Sequence, residues 1–486
     1  MYTKNICVLG GGTAGLITAL VLNESYPNIN IKLIKSDKID IVGVGEGSTE
    51  HWRSFMDYVG IDFDELIVET GATFKNGIFF ENWNGDNRNY YHTVNGQFMA
   101  ETFTGYPYLY HKLAAESNSQ LDLVDPYDIE SKCFYPLESA TNQFHFDTFK
   151  LNQFLNNKCL EYGVEIVTDT VREVEQDISG ITKLVGEKHE YTADLYVDAT
   201  GFGRFLIKQV EDSWKDCTEY LPMNSAITFP TPQTPNQDIN SYTRAISMNA
   251  GWLWNIPTQT RFGNGYVYCD KYITEEQAHA EVEKFYGTNI EIVRSFKFGA
   301  GYLTKPWVKN CVAVGLSSSF IEPLEATNIG TAIQQSFALS AHLPNWDPKI
   351  PITVAKFNNQ IVDVFENTVD FVQLHYITKR RDTEFWRSTE NLKLTKFNEK
   401  TLPIFKKTLP NWTYFDKRYI MFNHHNWLMV LMGLEIIDKQ SIVDSWKEVD
   451  NELRQTANIK LQIYFSRDVK PIKHRDAINI IIEDYK

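Results

Sequence analysis

The residues best able to carry chemistry fall in four short stretches of this 486-residue chain. In "GGGTAG", Gly10, Gly12 and Gly15 keep the G-x-G-x-x-G spacing, which permits a tight turn, lets backbone amides approach a pyrophosphate and seats a helix close to a strand. In "TFKNGIFF", strand alternation puts Thr73, Lys75, Gly77 and Phe79 on one face, so a cation stands in an otherwise apolar run. In "GWLWNIP", Trp252 and Trp254 share one face of a strand as an aromatic wall. In "EPLEATNIG", Glu322 and Glu325 precede the apolar positions Ile329, Ala332, Ile333 and Phe337, a spacing that predicts a helix beginning near Thr327 or Asn328. The free amides at such a start favour an anion. By spacing alone, Lys75 reads as the outward-facing lysine of an edge strand, the indoles as core, and either acid as a cap of the following helix.

These groups need a scaffold, and its beginning is legible. "NICVLG" is a buried-strand pattern, "GGTAGLITALVLNESY" a glycine-opened helix and "INIKLIKS" a second strand, together a βαβ unit. Where an acid usually holds a ribose, this chain has Lys35, with Asp37 two further along. Two later strand-turn-helix segments, "ADLYVDATGFGRFLI" and "NCVAVGLSSSFIEPLEATNIGTAI", resemble the second and third nucleotide-contacting segments of FAD enzymes built like aromatic hydroxylases. The expected class is therefore α/β, a discontinuous Rossmann-like FAD-binding fold of the aromatic hydroxylase type made from residues 1–50, 190–204 and 306–340. An inserted β-rich substrate module is expected over 51–189 and 205–305, and a mainly helical substrate-covering region over 341–486.

Composition limits the partners. A hydrophobic fraction of 43% is enough for a large core, and a formal net charge of −15 opposes binding to nucleic acid or to anionic lipid surfaces. Six scattered cysteines lack the paired spacing of a disulfide framework or a zinc site, which fits a reducing cytoplasm. "MYTKN" does not read as an export leader, and "WLMVLMGLEII" is too short and too interrupted to cross a bilayer. His424 and His425 are adjacent, an arrangement that points side chains apart on most backbones, and no metal site is expected there.

The motifs "GGGTAG", "GVGEGS", "TFKNGIFFENW", "FHFD", "GWLWNIP", "GNGYVY", "WVKNCVAVGLSSSFIEPLEAT" and "FVQLHY...RDTEFW" occur in this order from residue 1 to about 390. In this the chain resembles the flavin-dependent halogenases of the tryptophan halogenase type. The resemblance implies an enzyme that uses reduced FAD, O2 and a halide to make hypohalous acid, which travels through a tunnel to a separate, electron-rich aromatic substrate. It implies that Lys75 and Glu325 are catalytic, that Trp252 and Trp254 separate substrate from flavin, and that a halide sits at Thr327 and Asn328. FAD contacts would come from Gly10, Gly12, Thr13, Ala14, Gly15, Val44, Glu46, Gly47, Val171, Asp198, Gly201, Leu316 and Ile329. Glu322 matches a position without an assigned role, and the "LHY" at 374–376 is read as structural.

Lys75 has two possible mechanisms. An N-halo adduct needs a neutral amine, which at an unperturbed pKa of about 10.4 is roughly one molecule in 2,500 at pH 7. Desolvation could lower that pKa by about 3–5 units. A hydrogen-bond donor to hypohalous acid works while charged, and this is the favoured role. The family pattern has Ser where this chain has Ala326 and Gly where it has Asn328; of the non-glycine residues, Asn is most at ease in left-handed geometry. A separate flavin reductase is expected as partner, and a homo-oligomer is compatible with the sequence. An aromatic flavin monooxygenase on the same fold and a catalytically degenerate FAD-binding protein remain the alternatives.

Overall fold

The computed structural model describes residues 3–39, 45–94, 107–133, 143–234, 237–466 and 470–485. The strand Asn5–Leu9 pairs in parallel with Asn30–Lys35, and the helix Thr13–Ser25 connects them. Their sheet has six strands, in the order Trp307–Val308, Cys311–Ala313, Leu195–Asp198, Asn5–Leu9, Asn30–Lys35 and Glu165–Thr168. All neighbours are parallel except the edge ribbon of Trp307–Val308 with Cys311–Ala313. The sheet thus gathers strands from three distant parts of the chain. Glu165–Thr168 lies within the 51–189 stretch expected to belong to the insert, so the parallel sheet reaches into that stretch.

Two glycines set the close contacts of the first turn. Gly10 has φ 122°, and a Cβ there would lie 2.2 Å from the Ala199 carbonyl oxygen. A Cβ on Gly15 would lie 2.0 Å from the Gly10 carbonyl oxygen, so the helix sits directly on the turn. The same helix packs on the helix Thr327–His342 through a buried hydroxyl pair, Thr18 Oγ1 and Ser336 Oγ, 2.9 Å apart.

A second sheet of seven strands runs Arg294–Lys297, Ser225–Pro232, Arg261–Tyr268, Gly251–Pro257, Tyr242–Met248, Gly77–Glu81 and Asn89–Thr93. It is antiparallel except where Tyr242–Met248 meets Gly77–Glu81. Trp252 and Trp254 face the main core, whereas Leu253 points into a separate cluster with Ile227, Phe229 and Tyr266. Trp254 lies opposite Gly265, where a Cβ would come within 2.2 Å of the indole; the glycine makes room for the ring. A small antiparallel sheet is formed by Glu46–Gly47, Phe144–Phe146 and Thr73–Phe74, in that order. From the helix Ile352–Leu374 onward the described residues are mainly helical, ending in the helix His474–Tyr485. His474 Nε2 accepts the Phe74 backbone N–H at 2.9 Å, and its ring stacks on Phe74.

Among the described residues no helix is long and apolar enough to cross a membrane, and no cluster of metal-binding side chains occurs. The six cysteines are free and buried. Gly15→Val is expected to lower the melting temperature markedly in thermal denaturation. Gly12→Ala, whose Cβ would meet nothing within 4 Å, is expected to leave it nearly unchanged.

Candidate functional site

Lys75 does not lie on one continuous strand. Thr73–Phe74 pairs with Phe144–His145, Gly77–Glu81 pairs with Tyr242–Ile246, and Lys75 and Asn76 form the step between these two sheets. The alternation expected through "TFKNGIFF" is broken there, and the lysine goes inward instead of onto an exposed edge. It is 1% exposed. Its Nζ donates to the Ser48 carbonyl at 2.8 Å, its only hydrogen-bond acceptor among the described residues. Burial pulls the amine down to about 8, with Glu325 and then Glu50 opposing the drop. Roughly one amine in ten is therefore neutral at pH 7.

Glu325 is also fully buried, at the end of the short 3-10 turn Pro323–Glu325. Two imidazoles hold it. His92, on the strand Asn89–Thr93, brings Nδ1 within 2.8 Å of Oε2 and 3.1 Å of Oε1. Asn426 Nδ2 lies 3.0 Å from the other nitrogen of His92, and the Asn426 Oδ1 accepts the Asn423 backbone N–H, which fixes the amide's orientation. His92 Nε2 is therefore the acceptor and Nδ1–H is turned to the carboxylate. His375, just past the helix Ile352–Leu374, places Nε2 2.9 Å from Oε1 without the alignment of a hydrogen bond, while its Nδ1 lies 2.9 Å from the Tyr90 hydroxyl. Burial alone would raise the Glu325 carboxyl; His92 and then His375 reverse this and hold it well below the usual carboxylate range. Burial keeps the His375 imidazole below its ordinary value.

No spacing in the sequence pointed to His92, which is 233 residues from Glu325. His375 was legible only as part of "LHY", read as structural; it is buried against Glu325. Neither Glu322 nor Glu325 makes a side-chain cap of the following helix. His424 and His425 do not point apart: their ring centroids are 4.2 Å apart, at the start of the helix His424–Gly433.

The helix Thr327–His342 begins where the apolar spacing placed it, and its N-cap is Ala326, which offers no side-chain acceptor. Ala326, rather than Asn328, takes the left-handed conformation, with φ 54° and ψ 40°. Such geometry costs a residue with a Cβ about 1–2 kcal/mol. Gly47 lies between this turn and the lysine: a Cβ there would be 3.2 Å from Ala326 Cβ and 3.4 Å from Lys75 Nζ. Thr327 is buried and Asn328 half-buried.

Away from this turn, a Cβ on Gly12 or on Gly201 would meet nothing within 4 Å, and Gly12 gives the helix Thr13–Ser25 no side-chain cap. Open space beside uncapped amides fits a pyrophosphate. Ala14 packs against Gly315, where a Cβ would be 2.5 Å away, next to Leu316. Asp198 accepts from the backbone of Thr200, Leu206 and Ile207 and from the hydroxyls of Thr200 and Ser317, so its part is to hold the turn containing Gly201. Lys35 crosses Gly11 and donates to Asn156 Oδ1 at 3.0 Å, while Asp37 is exposed. Burial pushes the Glu46 carboxyl up to about 7. Val171 opens the strand Val171–Asp177, Ile329 is buried in the helix Thr327–His342, and Val44 lies outside the described residues.

Trp252 and Trp254 are both buried, with ring centroids 6.1 Å apart and planes tilted by 53°. The Trp254 indole N–H has no hydrogen-bond partner among the described residues, and the Trp252 indole N–H points at the Tyr376 hydroxyl without the full geometry of a bond.

Comparison with known proteins gives a consistent result. The sequence profile of the family described as tryptophan halogenase matches residues 5–446. The chain is 32% identical over 441 residues to the tryptophan 6-halogenase ThaL of Streptomyces albogriseolus, covering 84% of this chain and 82% of that protein. It is 30% identical to the tryptophan 7-halogenase RebH of Lentzea aerocolonigenes, covering 89% of each. Among solved structures, a tryptophan halogenase from Shewanella frigidimarina shares the fold with a TM-score of 0.85 at 24% identity, over 99% of this chain and 98% of that one. The flavin-dependent halogenase Xcc4156 from Xanthomonas campestris gives 0.81 at 26% identity, over 99% and 98%.

The buried amine makes stability depend on pH. Between about 8 and 10.5 the unfolded chain keeps the Lys75 proton that the folded chain has lost, so stability rises with pH across that window. Below it both states are protonated, and burying the charge costs about 3 kcal/mol. Lys75→Met is therefore expected to stabilise the protein at pH 7 by about 1–3 kcal/mol and to flatten its profile from pH 8 to 10.5, as read by urea unfolding.

Proposed function

The chain belongs to the tryptophan halogenase family, and on that premise we propose that it halogenates an electron-rich aromatic compound with hypohalous acid delivered inside the protein to Lys75 and Glu325. The observation that carries this reading is the lysine's place: an ammonium out of contact with solvent, beside a carboxylate held by two imidazoles.

The glycine turn, with Thr13, Ala14, Gly201 and Leu316, would hold FAD, and Glu46, Gly47, Val171 and Ile329 are proposed to complete its contacts. When bound in reduced form, FAD together with O2 would convert halide to hypohalous acid. The amides of Thr327 and Asn328 would bind the halide, because the alanine cap leaves them free of side-chain acceptors. Trp252 and Trp254 would fill the space an aromatic substrate would need to reach the flavin. Lys75 has N–H bonds beyond the one given to Ser48, and would donate one to the hypohalous acid. Glu325 would stabilise positive charge on the ring as it is attacked. The halogen joins the ring carbon, and the displaced ring proton leaves with hydroxide as water. A carboxylate held so acidic is a weak base, so charge stabilisation is its principal contribution. A separate flavin reductase would supply reduced FAD.

The test is a mass-spectrometric screen of activated indoles, pyrroles and phenols with chloride, bromide and iodide. Lys75→Ala is expected to abolish halogenation while FAD binding and hydrogen peroxide release persist; loss of FAD binding would make the lysine structural. Glu325→Gln is expected to lower turnover about 10²–10³-fold without changing FAD affinity. Equal hydroxylated product with and without halide would contradict the proposal.

A further inference from the structure

Glu322 and Glu325 flank one short turn, and consecutive residues hold them: His375 reaches Glu325, and the Tyr376 hydroxyl donates to Glu322 Oε1. Their surroundings differ in kind. Glu325 has two imidazoles, whereas Glu322 Oε2 is buried with no hydrogen-bond partner among the described residues. The indole N–H of Trp252 points at the Tyr376 hydroxyl, within reach of it but without the full geometry of a hydrogen bond. Both atoms are fully enclosed, in a region packed by Trp83, Phe385 and Trp386 around Tyr376. A buried carboxyl oxygen without a partner is rare in protein interiors, and one set beside a loosely held indole N–H calls for an explanation.

We propose that Glu322, Tyr376 and Trp252 form a polar station that holds one molecule of hypohalous acid on its way to Lys75. This rests on the function proposed above. The chemistry matches one small oxygen compound. The carboxyl O–H of Glu322 and the indole N–H are two donors for the two lone pairs of the hypohalous oxygen, and the Tyr376 oxygen can accept its proton. No bond is made or broken at the station. Burial, opposed by the Tyr376 hydroxyl, pushes the Glu322 carboxyl up to about 8, so at neutral pH it carries the donating proton. Tyr376 is the titratable group in hydrogen-bond contact with Glu322. The Cys269 thiol lies within influence of Tyr376, and burial raises that thiol. Above about pH 8, Glu322 becomes a second acceptor and the station loses a donor. At neutral pH the two acids therefore have opposed tasks set by their environments, one neutral for hydrogen bonding and one charged beside the ring.

The experiment measures free hypohalous acid, trapped by a soluble thioether, against halogenated aromatic product for full-length protein with FAD, a reductase and bromide. In the wild type, escape is expected to be low at pH 7 and to rise through pH 8. Glu322→Leu should raise escape about tenfold at pH 7, the worth of one hydrogen bond. Glu322→Gln, whose amide still donates but does not ionise, should keep escape low and remove its rise with pH. Infrared difference spectra of the flavin-free protein should show a protonated-carboxyl band that titrates near pH 8 and is missing from Glu322→Gln. Unchanged escape in a folded, FAD-binding Glu322→Leu protein overturns the station, as does a Glu322→Gln profile identical to the wild type. Reduced melting temperature with unchanged escape would mean that the station holds only water, and overturns it too. If the wild type makes neither halogenated product nor hypohalous acid, it is the proposed function that fails, and the infrared titration still decides the state of Glu322.

Discussion

Removing an ammonium and a carboxylate from water is the constraint on which the site depends. Each charge alone would carry several kcal/mol of lost hydration. Lys75 meets this cost with one carbonyl and the field of Glu325, and part of it remains as a lowered affinity for its proton. Glu325 meets it more completely, with His92 and His375 reversing the effect of burial. The result is a lysine that gives up hydrogen-bonding protons readily beside a carboxylate that stays charged.

The fold is arranged so that no single element supplies this pair. Lys75 comes from the step between a small sheet and a large one, and Glu325 from the turn leading into the helix Thr327–His342. His92 comes from an outer strand of the large sheet, and His375 from the end of a long helix. Gly47 lets the alanine turn and the lysine approach one another, and Gly330 lets the same helix approach Thr49, where a Cβ would be 2.3 Å from the threonine hydroxyl. His474 and its helix brace Phe74, immediately before Lys75, from the far end of the chain. Together these contacts make the site a product of tertiary packing on a scaffold shared by a large family.

How much was legible in the sequence follows from how local each feature is. The glycine turn, the helix at Thr327 and the shared face of Trp252 and Trp254 rest on spacing within a few residues, and the structure has them where spacing put them. Lys75 was visible as a residue type, but its inward turn depends on a change of strand partners that alternation cannot report. His92, Asn426 and Tyr90 have no local signal, because their roles arise only when distant segments meet at Glu325. At Ala326 the sequence showed the residue, while its left-handed backbone comes from fitting a 3-10 turn onto the helix.

The most direct measurement of the buried pair is a nitrogen-15 NMR titration of the Lys75 amine, in the wild type and in Glu325→Gln. A midpoint near 8 is expected for the wild type and a lower one once the carboxylate is gone. A midpoint at the ordinary value of 10.5 that does not respond to the Glu325 change would contradict it.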